Sequence, residues 1–362
     1  MKKLLLLAAL ISLCAPGFCK EKSMAELNPD FENALTQAVK PKNEGSFGYK
    51  KETPCFVLFH FSDIHGDALE FRRYAEFLNK YDKYFDGAVC TGDLVTNTCN
   101  DDFSYWGKTK GHEKIMLTIG NHDTIIDWEN RTGSVWDNQL PMEEVYNRYM
   151  KPHIDNWGAV YEAGKTYYYK DFDSKKIRFI AIDCMLRAKI DAAAEKGQLR
   201  WFKKTLDGAK EKGYTVVAAN HFPVRNSRGL ACNFTEGEYR ESGWYEEFAA
   251  YQAAVDEYMK AGGEFACWLG GHDHCDYLCY NTNYPEQLDI CIAATNRRQN
   301  EQYSAMMRVE GLKSQDVANC LIVDTSVKTL KIIRLGADSD SRLRQCHGLA
   351  IDYKTREIIN QY

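Results

Sequence analysis

The chain has 362 residues, of which 44% are hydrophobic and 27% charged. These fractions are those of an ordinary globular protein and exclude a disordered, collagen-like or coiled-coil chain. Lys and Arg number 46 against 51 Asp and Glu, giving a formal net charge of −5. Because nucleic-acid binders usually carry a surplus of basic residues, no nucleic-acid partner is expected.

The amino terminus has the pattern of a secretory signal peptide. Lys2 and Lys3 precede the apolar run 4–13, and Gly17 and Cys19 are small residues at a plausible cleavage point. This order predicts a signal peptide over residues 1–19 and a secreted or periplasmic protein. The run is too short to span a bilayer, so no transmembrane helix is expected. A lipid anchor at Cys14 or Cys19 is the alternative, although a bulky residue precedes each cysteine.

Patterns typical of strands and helices alternate along the rest of the chain. Residues 20–50 are polar with several Pro and Gly, which favours an N-terminal arm. Strands are predicted at 55–61, 85–90, 114–119, 167–172, 177–184, 214–219, 265–269, 320–323 and 329–333, and helices at 68–81, 142–150 and 195–210. This alternation predicts one α/β domain over 51–335. An aromatic-rich segment at 124–165 is interpreted as an insertion near the site, and residues 336–362 as a C-terminal extension without assigned function.

Eleven cysteines remain outside the signal peptide, an odd number that excludes complete internal pairing. Cys275 and Cys279 are the candidate disulfide. Six others lie in or beside apolar strand patterns, where cysteine behaves as a small buried hydrophobe: Cys55, Cys90, Cys184, Cys267, Cys291 and Cys320.

Polar side chains follow the carboxyl ends of several predicted strands. In open α/β sheets this edge is where ligands bind, because several strands deliver side chains to one crevice. Carboxylate, imidazole and amide donors suit Mn²⁺, Fe and Zn²⁺, and the lack of thiolates disfavours a structural zinc site. The ordered set predicts a metal site among Asp63, His65, Asp93, Asn121, His122, His221, His272 and His274. His60, inside a strand, is predicted to pack, and Asp123 and Asp273 to support the ligands.

Five blocks carry a resemblance: Asp63-x-His65, Gly92-Asp93, Gly120-Asn121-His122-Asp123, His221, and Gly271-His272-x-His274. In order and spacing they resemble the signature of the calcineurin-like metallophosphoesterases. The resemblance implies a four-layer α/β sandwich of two packed mixed β-sheets flanked by α-helices.

The same resemblance implies two divalent metal ions (Mn, Fe or Zn) in a binuclear centre. Asp63, His65 and His274 would hold one ion, and Asn121, His221 and His272 the other. Asp93 would bridge the two. His122 would be an acid and a phosphate contact, oriented by a carboxylate. Purple acid phosphatases carry a tyrosine ligand three residues after the bridging Asp, where this chain has Thr96.

The implied reaction is hydrolysis of a phosphate ester by a metal-bridging hydroxide, with His122 and Asp93 as catalytic residues. A phosphodiester substrate is favoured, because Asn121 and His122 beside a large insertion resemble the cyclic-nucleotide and glycerophosphodiester branch. A phosphomonoesterase and a non-catalytic phosphate-binding protein are the alternatives. Arg225 and Arg228 are candidate substrate contacts, since guanidinium groups suit phosphate oxygens, but a solvated loop fits them equally well.

Overall fold

The computed structural model describes residues 21–39, 55–98, 103–127, 138–185, 188–223, 244–274, 276–280, 284–296, 308–337 and 349–361. Within these ranges the strands are β1 Cys55–Phe61, β2 Gly87–Cys90, β3 Ile115–Leu117, β4 Val160–Tyr161, β5 Tyr168–Phe172, β6 Ile177–Ala181, β7 Thr215–Ala219, β8 Glu264–Gly270, β9 Tyr277–Tyr280, β10 Leu288–Cys291, β11 Val317–Asp324, β12 Thr329–Gly336, β13 Leu349–Asp352 and β14 Ile358–Gln361.

These strands form two mixed sheets of seven strands each. The first has the order β14-β13-β12-β11-β1-β2-β3 and the second β4-β5-β6-β7-β8-β10-β9. In the first sheet β1, β2 and β3 are parallel, whereas β11 is antiparallel to β1. In the second sheet β6, β7, β8 and β10 are parallel. Strand β1 is buried along its whole length, as its unbroken apolar run predicts.

The described helices are α1 Met24–Leu27, α2 Phe31–Ala38, α3 Ala68–Lys80, α4 Ser104–Lys108, α5 Met142–Val145, α6 Ala188–Lys212 and α7 Trp244–Lys260. Helix α5 continues into a π-helical turn, Tyr146–Met150. Short 3₁₀ helices lie at Asp82–Tyr84, His112–Lys114, Ile154–Trp157, Asp173–Lys175 and Lys313–Gln315. Among the described residues, no helix has both the length and the apolar character needed to span a bilayer.

The two sheets pack face to face, with helices on the outside. The rings of Phe56 in β1 and Phe172 in β5 lie 4.7 Å apart, and the Tyr168 hydroxyl donates across the interface to the Leu117 carbonyl at 3.0 Å. On the outer face of the second sheet, Phe202 of α6 stacks 5.9 Å from Trp268 of β8. The predicted four-layer α/β sandwich is therefore confirmed.

Helix α3 forms directly after the first block of polar residues. Its N-cap Asp67 accepts hydrogen bonds from the amides of Leu69 and Glu70, and Lys80 lies in the last turn near the negative end of the helix dipole. The side chains of Phe71 and Phe77 are buried on its inner face. The helix predicted at 68–81 therefore ends one residue earlier than expected, at Lys80. Its N-cap fixes its first residue next to the candidate site.

Part of the predicted N-terminal arm belongs to the packed domain. Ser23 and Glu26 form a reciprocal capping box that starts α1. Phe31 of α2 is buried with its ring 5.0 Å from that of Phe77, and Leu35 is also buried. The spacing of Phe31, Leu35 and Ala38 gives α2 an apolar face, a helical signal that the surrounding polar residues obscured.

The first sheet also extends past the predicted domain end at residue 335. Strand β13 pairs antiparallel with β12, and β14 pairs with β13. The segment interpreted as a C-terminal extension therefore supplies two strands to the sheet. In the insertion, Tyr146, Tyr149 and Trp157 are buried, so these three aromatic side chains pack inward.

Candidate metal centre

The predicted metal ligands lie at one edge shared by both sheets. Asp63 follows β1, Asp93 follows β2 and Asn121 follows β3, while His221 follows β7 and His272 follows β8. Because these strands run parallel within each sheet, their carboxyl ends deliver the side chains to one place. Ligand atoms converge within 4.8 Å in two sets, Asp63, His65, Asp93 and His274, and Asp93, His221 and His272.

The first set contains two imidazoles that face each other. Nε2 of His65 lies 3.0 Å from Nε2 of His274, and Oδ1 of Asp63 is 3.4 Å from the latter nitrogen. Burial lowers the pKa of His65 to about 3, although Asp93 opposes this shift. His65 is therefore neutral at pH 7, with a lone pair available to a cation.

The second set is aligned by a backbone carbonyl. Nδ1 of His221 lies 2.6 Å from the Thr91 carbonyl oxygen, so this nitrogen carries the proton and donates it. Nε2 is left facing Oδ1 of Asn121 at 3.1 Å and Oδ2 of Asp93 at 3.2 Å. Such a partner on the remote nitrogen fixes the tautomer that a metal needs.

Asp93 belongs to both sets. Its Oδ2 faces imidazole nitrogens of His221 at 3.2 Å, His65 at 3.8 Å and His122 at 4.0 Å. The surrounding histidines, His221 first, hold the pKa of Asp93 well below its usual range, even though burial alone would raise it. These buried carboxylate and imidazole groups need a nearby positive charge to offset the free-energy cost of their desolvation. Its oxygen and nitrogen donors fit divalent Mn, Fe or Zn.

His221 differs from the other imidazoles in its charge. Burial opposes protonation, but Asp93 and Asp63 outweigh it and raise the pKa of His221 to about 9. Burial and the neighbouring His221 instead hold the pKa of His272 well below its usual range. In the absence of a metal, His221 therefore carries a second ring proton, and with it a positive charge, at neutral pH.

Most of the predicted ligands have an unusual backbone conformation. Among the described non-glycine residues, eight have positive φ, and five of these are Asp63, His65, Asp93, His272 and His274, with φ between 47° and 68°. Each costs on the order of 1–3 kcal/mol. Backbone hydrogen bonds hold the turns in place, among them His65 N to Asp93 O at 2.9 Å and Asp63 N to Gly92 O at 3.0 Å.

Two glycines let these turns approach the ligands. A Cβ at Gly120 would collide with the carboxylate and amide of Asp93, and one at Gly271 would collide with Ser62 and the Asp63 carboxylate. Neither position could accept a side chain without displacing a ligand.

His122 occupies the outer side of the centre. Its ring stands edge-on to that of His65 with centroids 4.8 Å apart, and its side chain is 15% exposed against 1% for Asp93. Nδ1 lies 2.7 Å from the Thr96 carbonyl oxygen. The expected orienting carboxylate is therefore replaced, at this nitrogen, by a backbone carbonyl.

Other polar residues support the ligand loops. The buried Asp123 carboxylate accepts from the amides of Leu94 at 2.7 Å and Gly120 at 2.8 Å, joining the loops after β2 and β3. Asp273 is buried. Nε2 of His60 lies 3.1 Å from the Thr91 hydroxyl, outside both ligand sets. The supporting carbonyls of Thr91 and Thr96 were missed by sequence reasoning, because a backbone group gives no residue-type signal.

Arg225, Arg228 and Cys275 lie outside the described residues, as does the side chain of Cys279. The six cysteines predicted to pack in strands are buried, as expected.

A match to a family profile shows which protein family the chain belongs to. The profile described as calcineurin-like phosphoesterase matches residues 56–276, more than half of the chain. The chain belongs to this family. It is therefore a hydrolase of phosphoric esters, and the family uses a dimetal centre.

Solved structures with a similar fold include two phosphatases. A dimetal phosphatase from Danio rerio aligns with 11% identity and a TM-score of 0.46, covering 78% of this chain and 96% of that one. Purple acid phosphatase PPD1 from yellow lupin aligns with 12% identity and a TM-score of 0.47, covering 87% of this phosphoesterase and 54% of the lupin chain. A search of curated proteins gives no match.

Replacing Gly120 by alanine should remove metal without unfolding the phosphoesterase. The added methyl group pushes Asp93 out of place, so we expect metal affinity to fall by more than about tenfold. Gly197→Ala is the matched control, since a Cβ there meets nothing within 4 Å and alanine favours the α6 helix. Metal content after dialysis and the melting temperature are measured. Equal metal content in both variants would contradict the role of Gly120.

Metal binding should release a proton from His221. With its pKa raised to about 9, His221 is protonated at pH 7.5 and must lose this proton to become a ligand. As the pH falls below 9, we therefore expect competition from this proton to weaken metal affinity by about tenfold per pH unit. Calorimetry of Zn²⁺ binding in buffers of different ionisation enthalpy counts the protons. His221→Asn should release about one fewer, and an unchanged count would disprove the assignment.

Proposed function

We propose that this phosphoesterase is an exported phosphodiesterase with a binuclear metal centre. The observation that carries the proposed centre is the sharing of Asp93 by two ligand sets, each of which combines residues from both sheets. Asp63, His65 and His274 would hold one divalent ion, Asn121, His221 and His272 the other, with Asp93 between them. When bound, such a pair of cations binds phosphate oxygens and activates water as a nucleophile.

His122 is the residue that handles the leaving group. Since its Nδ1–H is held by the Thr96 carbonyl, Nε2 faces the centre and can carry a second proton. Its partial exposure beside buried ligands lets it reach the substrate. In the protonated form, Nε2 donates to the departing ester oxygen and leaves His122 neutral.

The preference for diesters rests on the sequence resemblance of the Asn121–His122 block and the adjoining insertion. Export rests on the signal-peptide pattern of residues 1–19, with a lipoprotein as the alternative. Mass spectrometry of the mature protein should find a free amino terminus at Lys20. A lipid-modified cysteine at the amino terminus would instead show that the protein is a membrane-anchored lipoprotein.

Comparing two chromogenic esters tests the proposed activity. With Mn²⁺ or Zn²⁺, kcat/KM should be higher for bis-p-nitrophenyl phosphate than for p-nitrophenyl phosphate, and Asp93→Asn should lose both activities. A preference for the monoester would make the protein a phosphomonoesterase. A metal-loaded protein that binds phosphate and turns over no ester would contradict the enzymatic proposal.

His122→Ala should separate proton donation from metal binding. We expect metal content to remain, while kcat falls by about 10²–10⁴-fold for an alkyl phosphodiester, whose leaving group needs protonation. The loss should be much smaller for a p-nitrophenyl ester. His112→Ala, outside the centre, is the control and should leave both rates unchanged. Equal losses on the two esters in His122→Ala would disprove the acid role.

A further inference from the structure

Three buried thiols lie beneath the loops that carry the candidate ligands. Cys291 Sγ lies 3.1 Å from the Gly271 carbonyl oxygen, next to His272. Cys184 Sγ lies 3.5 Å from the carbonyl oxygen of Ile119, two residues before Asn121. Cys90 Sγ lies 3.8 Å from the carbonyl oxygen of Gly92, which precedes Asp93. Each thiol thus donates to a carbonyl within two residues of a ligand.

The three contacts come from separate parts of the sandwich. Cys90 ends β2 in the first sheet, and Cys291 ends β10, which neighbours β8 in the second sheet. Cys184 follows β6 of the second sheet but bonds to the loop after β3 of the first. These contacts therefore link the ligand loops to strands of both sheets.

The thiols act as donors and not as ligands. Neither converging ligand set in the described part of the chain includes a cysteine. Burial, with the nearby Asp123 and Asp63, raises the pKa of Cys90 well above its usual range, so its sulfur keeps the proton. A protonated thiol is a weak hydrogen-bond donor.

Two other cysteines provide a comparison within the same molecule. Cys267 in β8 and Cys320 in β11 are equally buried, and across the described ranges their sulfurs make no hydrogen bond. Burial alone thus does not bring a thiol to a carbonyl. The distinguishing feature of the other three is their position under a ligand loop.

We propose that Cys90, Cys184 and Cys291 are positioning residues whose thiols hold the ligand loops in their metal-binding conformation. The inference rests on the proposed metal centre. The S–H···O contacts restrain carbonyls beside turns that include the positive-φ residues Asp93 and His272. Without these restraints the turns can relax, and the ligands then bind the cations less tightly.

Cys291 gives the sharpest test, because its contact is the shortest of the three. Cys291→Ala should weaken Zn²⁺ affinity on the order of fivefold, the loss expected for one weak hydrogen bond. Cys291→Ser should restore affinity, since a hydroxyl can donate to the Gly271 carbonyl. Competition with a chelator measures affinity, and thermal unfolding measures stability separately.

Cys320 is the matched control. At this position we expect the alanine variant to be tolerated better than the serine variant, the reverse of the order at Cys291. Cys320→Ala leaves a similar small cavity but should not change Zn²⁺ affinity. Cys320→Ser should melt below Cys320→Ala, because its hydroxyl is buried in a strand whose carbonyls are already paired. Equal Zn²⁺ affinity in Cys291→Ala and Cys320→Ala, or no recovery in Cys291→Ser, would overturn the positioning role alone. Wild-type protein that retains no metal would overturn the proposed centre as well.

Discussion

The Asp93 carboxylate connects the two halves of the candidate metal centre. Its Oδ2 lies 3.2 Å from His221, which the second sheet supplies, and 3.8 Å from His65, which the first sheet supplies. A buried carboxylate among buried imidazoles is costly unless positive charge compensates it. The packing of the two sheets and the charge of this centre therefore depend on each other. Metal that binds only the folded chain would also stabilise it.

The strained turns at the centre require a rigid support. The positive-φ backbone conformations of five predicted ligands together cost several kcal/mol of folding free energy, at about 1–3 kcal/mol each. Such conformations persist only where the surroundings determine them. Here the turns follow fully buried strands such as β1 and β7, and cross-loop hydrogen bonds such as His65 N to Asp93 O hold them. The stability of the sandwich is thus used to keep the ligands in place before a metal arrives.

Sequence reasoning predicted the parts of this phosphoesterase that combine a strong periodic pattern with a chemical signal. Strand β1 is an unbroken apolar run that ends in Asp63, so both the strand and the ligand could be predicted. Helix α2 was missed because polar residues and prolines surround its apolar face. Strand β13 was missed because four residues give little pattern, and its pairing with β12 is set by tertiary contacts. The orienting carbonyls of Thr91 and Thr96 could not be found at all, since every residue has one.

The loop after β2 positions more than the shared carboxylate. Oδ1 of Asp93 accepts the amide of His122 at 2.9 Å, and the Thr96 carbonyl accepts from the His122 ring at 2.7 Å. The Thr96 hydroxyl in turn donates to the His65 carbonyl at 2.7 Å. One short loop therefore sets the place of Asp93, which both candidate ligand sets share, of the candidate ligand His65 and of the proposed acid His122. Because the proposed acid is held through a backbone group, its orientation depends on the path of this loop, which also carries Asp93. The proposed metal site and the alignment of the proposed proton donor are thus properties of the same turn.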